Sequence, residues 1–197
     1  MIAVFLGCQL FFYFVLLFQD TKIVSFKGEG FLELNSQHLK SSSTLGLSFS
    51  TNEAGLLLLS TSQGQQQQDG SGSSNLGDFY SLSLSGGKLV LIAASSSDPG
   101  SAVRVQSDRV FNDGDLHTVV VRRMGQRIHL IVDGIEVDGG NNEFGRNVGD
   151  ILSPAQGGLF IGGVPTLMRF AVKSAGMVET AKVFYGNIEG IAFLDDE

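Results

Sequence analysis

The sequence predicts an all-β fold, an antiparallel β-sandwich or jelly roll. Three observations carry this expectation. Short apolar runs recur at roughly ten-residue spacing with turn residues between them. Several of the runs alternate strictly between apolar and polar side chains, as a half-buried strand must. No stretch sustains a 3.6-residue apolar stripe, so no helix is expected. The 197 residues are one domain's worth, enough to bury about two-thirds of the unfolded surface in a single core.

In chain order, Phe31-Leu32-Glu33-Leu34 is the first run after the N-terminal stretch, and Leu45, Leu47 and Phe49 alternate with Gly46, Ser48 and Ser50. Gly55 then opens Leu56-Leu57-Leu58-Leu59, a continuous run suited to a strand covered on both sides. Tyr80, Leu82 and Leu84 alternate with Ser81, Ser83 and Ser85, which predicts one apolar face and one wet face. Gly86-Gly87 supplies a two-residue turn into Lys88–Ile92. Ala102–Gln106, His117–Arg123, Arg127–Val132, Leu159–Ile161 and Ile188–Leu194 continue the rhythm, with turn signals at Asn112-Asp113-Gly114 and Asp133-Gly134. The predicted inter-sheet core is Leu47, Phe49, Leu57, Leu82, Leu84, Leu91, Val119, Val121, Leu130, Val132 and Ile161. Gln63 to Asn75, QGQQQQDGSGSSN, reads as a polar low-complexity surface insertion. Ala171 to Thr180 reads as irregular chain crossing the surface toward the last strand.

The formal net charge of −7 gives no basic face for a phosphate backbone, so nucleic acid is not an expected partner. Cys8, in the apolar N-terminus, is the only cysteine. The rest of the chain therefore has no disulfide, thiolate metal site or cysteine nucleophile. Ile2 to Phe18 reads IAVFLGCQLFFYFVLLF. This stretch has three readings: a cleaved secretory signal, a membrane anchor, or a misassigned start unrelated to the fold. A signal usually carries a basic residue first and small residues at the cleavage point, and both are missing. As an anchor, about 18 helical residues would reach roughly 27 Å. Residues 1–19 are thus set apart, and residues 22–197 form the expected domain.

Seven runs, in order and spacing, resemble a laminin G-like domain. Phe26-Lys27-Gly28-Glu29-Gly30-Phe31 to Leu34 resembles its opening F-x-G-x-G segment, and Leu47 to Thr51 followed by Gly55 to Leu58 resembles F-x-T…G-L-L-L. Asp78-Phe79-Tyr80 to Leu84 with Gly87-Lys88-Leu89 resembles the D-[FY] hairpin of laminin α-chain, agrin, perlecan and neurexin modules. Asn112 to Val119 resembles N-D-G-x-W-H-x-V, Ile131 to Gly134 the V-D-G turn, and Leu159 to Pro165 the motif L-[YF]-I-G-G-x-P. Phe184 to Ile188 stands where the family has F-x-G-C-I. The resemblance implies a laminin G-like, concanavalin-like jelly roll in an extracellular module, secreted or at the cell surface, within a larger multidomain chain. Two departures stand out. Leu116 replaces the usual tryptophan, which reads as a core aromatic traded for a smaller residue, and Asn187 replaces the late cysteine, so its disulfide cannot form.

The resemblance also implies candidate sites. A family-type Ca²⁺ site would use Asp78 first, with Ser95 and Leu152 near the carbonyl donors and Asp150 the nearest second carboxylate, because Ser153 and Pro154 occupy its expected place. Ca²⁺ takes six to eight oxygens, so such a set is open and weak. Arg122, Arg123 and Arg127 flank the Met124-Gly125-Gln126 turn and are the candidate contacts to a sulfated glycan. Adjacent Arg122 and Arg123 point to opposite strand faces, which shrinks that patch. No catalytic residues are assigned. His38, His117 and His129 lack metal-ligand spacing, and His117 reads as a structural hydrogen-bonding residue. Glu136, Asp138 and Glu143 lack the alternating acidic layout of jelly-roll glycosidases. The expectation is an adhesion module that binds an extracellular protein or a glycan, sulfated or matriglycan-like, through rim loops with Ca²⁺ assistance. A membrane enters only through an uncleaved N-terminus. The alternatives are a glycan-processing enzyme on a similar jelly roll and a carrier of a small apolar ligand between the sheets.

Overall fold

The computed structural model describes residues 23–35, 40, 42–61, 78–95, 98–138, 140–144, 158–174 and 176–195. The N-terminal apolar stretch with Cys8, the loop from Gln63 to Asn75, His38, Asp150 and Leu152 lie outside the described residues.

Two antiparallel sheets face one another. The first runs, edge to edge, β1 (Val24–Lys27), β13 (Tyr185–Asp195), β3 (Ser42–Ser50), β8 (His117–Met124), β9 (Arg127–Val132) and β10 (Ile135–Glu136). The second runs β11 (Gly140–Asn141), β7 (Asp98–Val110), β6 (Lys88–Ser95), β5 (Phe79–Ser85), β4 (Gly55–Thr61), β12 (Gly158–Ile161) and β2 (Leu32–Asn35). All eleven residues predicted for the inter-sheet core lie in one buried cluster, joined by Phe26, Leu45, Leu58, Tyr80, Leu89, Val105, Phe184 and others. In β8 burial alternates along the strand from His117 to Arg123, as the sequence pattern requires.

β4 is covered on both faces, as expected of its leucine run. A bulge between Leu56 and Leu58 sends both Leu57 and Leu58 into the inter-sheet core, while Leu56 and Leu59 face outward. All four are fully buried, because the outer face of this sheet carries a second apolar cluster. That cluster corrects one expectation: the serine face of β5 is dry. Ser81 and Ser83 are buried, and the Ser81 hydroxyl donates to the Met177 carbonyl at 2.6 Å.

The cover comes from the stretch after β12, whose one helix among the described residues, α1 (Thr166–Ser174), runs into the start of the Ala171–Thr180 segment read as irregular. It follows Pro165 and stops in a left-handed Gly176 (φ 71°), with Met177 N–H donating to Val172 O and Gly176 N–H to Lys173 O. This pair of bonds is a Schellman closure, which satisfies the last carbonyls of the helix. Nine residues hold little more than two turns, and only Val172 is fully buried, with Met168 half-buried one turn earlier. Leu167 and Phe170 point outward at 95% and 82% exposure, so no apolar stripe was visible in the sequence.

The Gly162-Gly163 pair, just before this cover, packs against the inter-sheet core. Gly162 has φ 76°, and a Cβ there would stand 2.2 Å from the Phe26 ring. Its N–H donates to Leu57 O, and its carbonyl accepts from Phe184 N–H. Phe184 is fully buried and meets Phe26 and Phe49 edge-on at 6.2 Å and 6.5 Å. The first, sixth and last of the sequence motifs thus form one contact.

Candidate functional site

The strand registers define two ends of the sandwich. At one end Gly158, Thr61, Phe79 and Ala94 lie side by side across four strands. Asp78, just before β5, and Ser95, the last residue of β6, therefore meet there, with the Ser95 hydroxyl donating to Asp78 Oδ1 at 3.1 Å. Ser95 is buried and Asp78 half-buried. The fold thus brings two of the candidate residues together. Together they offer one carboxylate and one hydroxyl, and among the described residues no group of three or more His, Cys, Asp or Glu converges as a metal cage. The other two candidates, Asp150 and Leu152, lie outside the described residues.

β3 runs from the Met124 end of β8 to the His117 end, and the short Thr51–Ala54 connection starts β4 at the latter. The Gly125–Gln126 turn therefore lies at the Asp78 end. The three arginines there have different fates. Arg123 is fully buried, with Nε donating to Gly125 O at 3.0 Å and its guanidinium 4.9 Å from the centroid of the Phe144 ring. It belongs to the inner face of β8 and is withdrawn from any surface patch. Arg122 is half-buried on the outer face, and exposed Arg127 lies 3.7 Å from Glu143.

At the opposite end His117 is buried between two acids. Its Nδ1 lies 2.8 Å from Asp133 Oδ2 and its Nε2 lies 2.9 Å from Asp113 Oδ1. Asp133, at φ 51° in the β9–β10 turn, also accepts from Thr118 N–H through its other oxygen. Both ring nitrogens can donate only in the imidazolium form. Burial by itself would lower the His117 pKa, but hydrogen bonds to Asp133 and Asp113 outweigh it, and the net direction is up. Asp113 is held low, chiefly by its hydrogen bond to His117. The ring packs on Phe111 (5.0 Å) and Phe49 (5.7 Å). His117 thus ties the β7–β8 connection to the β9–β10 turn, the structural role read for it from sequence.

Leu116 beside it corrects another expectation. It is 58% exposed, so the position is not part of the core and the loss of tryptophan leaves no void. Asn187, in the place of the family cysteine, accepts from Ser25 Oγ at 2.7 Å and donates to Ser50 Oγ at 3.3 Å. These bonds tie β13 to both of its neighbours without a disulfide.

Glu136 lies 2.5 Å from His129 Nδ1, and Glu143 pairs with Arg127. Between the sheets, a cleft of about 210 Å³ opens among Val24, Leu32, Ile161, Ile188, Glu189 and Ile191. No described helix is long and apolar enough to cross a membrane.

The same architecture occurs in solved structures. Domains LG4-5 of the mouse laminin α1 chain superpose with a TM-score of 0.64 at 20% identity, covering 88% of this chain and 42% of that one. The LG1-3 region of the laminin α2 chain gives 0.65 at 21% identity, covering 87% and 30%. A heptameric SAP-like pentraxin from Limulus polyphemus gives 0.54 at 18% identity, covering 89% and 76%. The chain spans less than half the length of either laminin structure, and these identities speak for the fold alone. No curated protein matches the chain. The family model for the laminin G domain matches residues 49–195, from β3 through β13. The chain belongs to the laminin G domain family, whose members are typically extracellular, non-enzymatic binding modules.

Proposed function

We propose that this chain is an extracellular adhesion module that binds a protein or glycan partner through the loops at its Asp78 end, with Ca²⁺ assisting there. The observation that carries the reading is the Asp78–Ser95 pair, placed where four strand ends meet. Asp78 would be the principal ligand, with Ser95, Asp150 and Leu152 as its neighbours in the donor set. A hard cation at an open rim needs at least one full carboxylate, which carbonyls alone seldom replace. Bound there, Ca²⁺ would supply a point of attachment for an acidic or hydroxyl-rich partner. Arg122 and Arg127 share that end and offer cations to a sulfated or otherwise acidic glycan. Arg123 contributes by holding the hairpin under them.

The carrier alternative is less well supported. The cleft beside Ile161 is about 210 Å³, below the usual ligand-pocket range of about 300–1,000 Å³, and the larger cleft at the His117 end is lined by the carboxylates Asp108, Glu136 and Asp138, which suit a wholly apolar ligand poorly. Exposing the 197-residue chain to an array of sulfated glycans, matriglycan-like glycans and matrix proteins, with Ca²⁺ and with chelator, tests the reading. Binding that requires Ca²⁺ and weakens in Asp78→Asn supports it. Binding indifferent to both would move the partner away from this end.

A further inference from the structure

The His117 end holds a cleft of about 310 Å³ between the two sheets. One wall is the end of β7 with Phe111, and the other is Val132 with the β9–β10 hairpin and Val137. Phe111 and Val132 are buried and form its floor, Val137 is half-buried, and Ile135 stands at the mouth, 61% exposed. Around this apolar floor sit three carboxylates, Asp108, Glu136 and Asp138, against one cation, Arg109. Glu136 is engaged by His129. Arg109 lies over the Phe111 ring, 5.6 Å from its centroid. Asp108 and Asp138 are exposed, and their carboxylates make no hydrogen bond or ion pair with a described residue.

We infer that this cleft is a second binding site, which takes a lysine side chain from an extended segment of a protein partner. The occupant follows from the chemistry of the lining. A lysine has a four-carbon stem that can lie along Phe111, Val132, Ile135 and Val137, and an ammonium that ends among the lip carboxylates. An anion would meet three carboxylates and one guanidinium. A wholly apolar ligand would have to desolvate Asp108 and Asp138 without compensating them. The Arg109–Phe111 pair shows the floor already accepting a cation from the chain itself. The chain's formal charge of −7 would steer a basic partner in. The registers place this cleft at the end opposite Asp78, so it is independent of the Ca²⁺ rim.

The test is an NMR titration of the ¹⁵N-labelled 197-residue chain with a blocked Gly-Gly-Lys-Gly-Gly peptide and with the same peptide carrying Nε-acetyl-lysine. The lysine peptide is expected to shift the amides of Ser107–Phe111 and Val132–Asp138, and the acetylated one to leave them in place. The double variant D108N/D138N should weaken binding about tenfold, since each exposed pair is worth up to about 1 kcal/mol. Arg109→Gln should strengthen it, and Glu29→Gln, an exposed acid between β1 and β2, should leave it unchanged. Equal shifts with both peptides, wild-type affinity in D108N/D138N, or no binding at all would each overturn the inference. Shifts confined to Asp78 and Ser95 would also overturn it while leaving the rim proposal intact.

Discussion

Replacing His117 with alanine tests whether the two-carboxylate clamp holds the end of the sandwich together. The substitution removes two charge-assisted hydrogen bonds, at 2.8 Å to Asp133 and 2.9 Å to Asp113, and the ring contacts to Phe111 and Phe49. Hydrogen bonds to charged groups contribute about 1.5–3 kcal/mol each when buried. Here the side chains of Asp113 and Asp133 are 50% and 36% exposed, so water takes over much of their share once the imidazole is gone. Adding about 0.5–1.5 kcal/mol for the aromatic contacts gives an expected loss of about 2–4 kcal/mol, or roughly 5–12 °C in Tm for a chain of this length. The loss must also depend on pH. The folded-state pKa of His117 is raised above its unfolded value of about 6.5, so its contribution is complete below that pH and disappears as pH rises through the folded pKa. On the acid side, the depressed pKa of Asp113 adds a contribution that is lost as pH falls through its folded value. Urea unfolding of wild type and His117→Ala between about pH 5 and about pH 9 should therefore show a gap that narrows at the alkaline end. A gap under about 1 kcal/mol, or one that does not change with pH, would refute the clamp.

Three further outcomes follow from the packing. Leu82→Ala should cost about 2–5 kcal/mol in urea unfolding, since Leu82 is 1% exposed between the sheets. Arg123→Ala should cost about 3 kcal/mol or more by leaving Phe144 and the Gly125 carbonyl without their buried partner, whereas Arg127→Ala should stay within about 0.5 kcal/mol. Residues 20–197 expressed alone should give the far-ultraviolet circular dichroism of a folded β protein. Loss of structure on removing the N-terminal stretch would show it to be a strand of the domain.

Much of the fold was legible because its signals are local. Alternation in β3 and β5 and the Gly86-Gly87 hairpin each set a register by themselves, and the leucine run of β4 marked a strand covered on both faces without saying where its bulge would fall. The errors arose where a second layer decides the environment. A serine opposite an inward leucine reads as wet, yet Ser81 and Ser83 are dry because residues 164–183 return over them. Gly176 was a readable helix stop, but a nine-residue helix with Leu167 and Phe170 facing out leaves no period to detect. At the rim, Asp78 and Ser95 could be paired from the hairpin register alone. The burial of Arg123 could be half-read from its parity with Val119 and Val121, against the general rule that arginine stays outside. The clamp on His117 was harder to foresee, since Asp133 belongs to a turn 16 residues away.

The rim itself is tested most directly by calorimetric titration of Ca²⁺ into the 197-residue chain and into Asp78→Asn. The wild type is expected to bind weakly, with Kd roughly 10⁻⁴–10⁻³ M as for open extracellular sites, and the variant not measurably. At millimolar Ca²⁺ that affinity would add only about 1 kcal/mol of stability, so the heat of binding is the better readout. Equal binding by both proteins would place the ion elsewhere. No binding by either would leave Asp78 as the residue that opens β5 and would contradict a Ca²⁺-assisted rim.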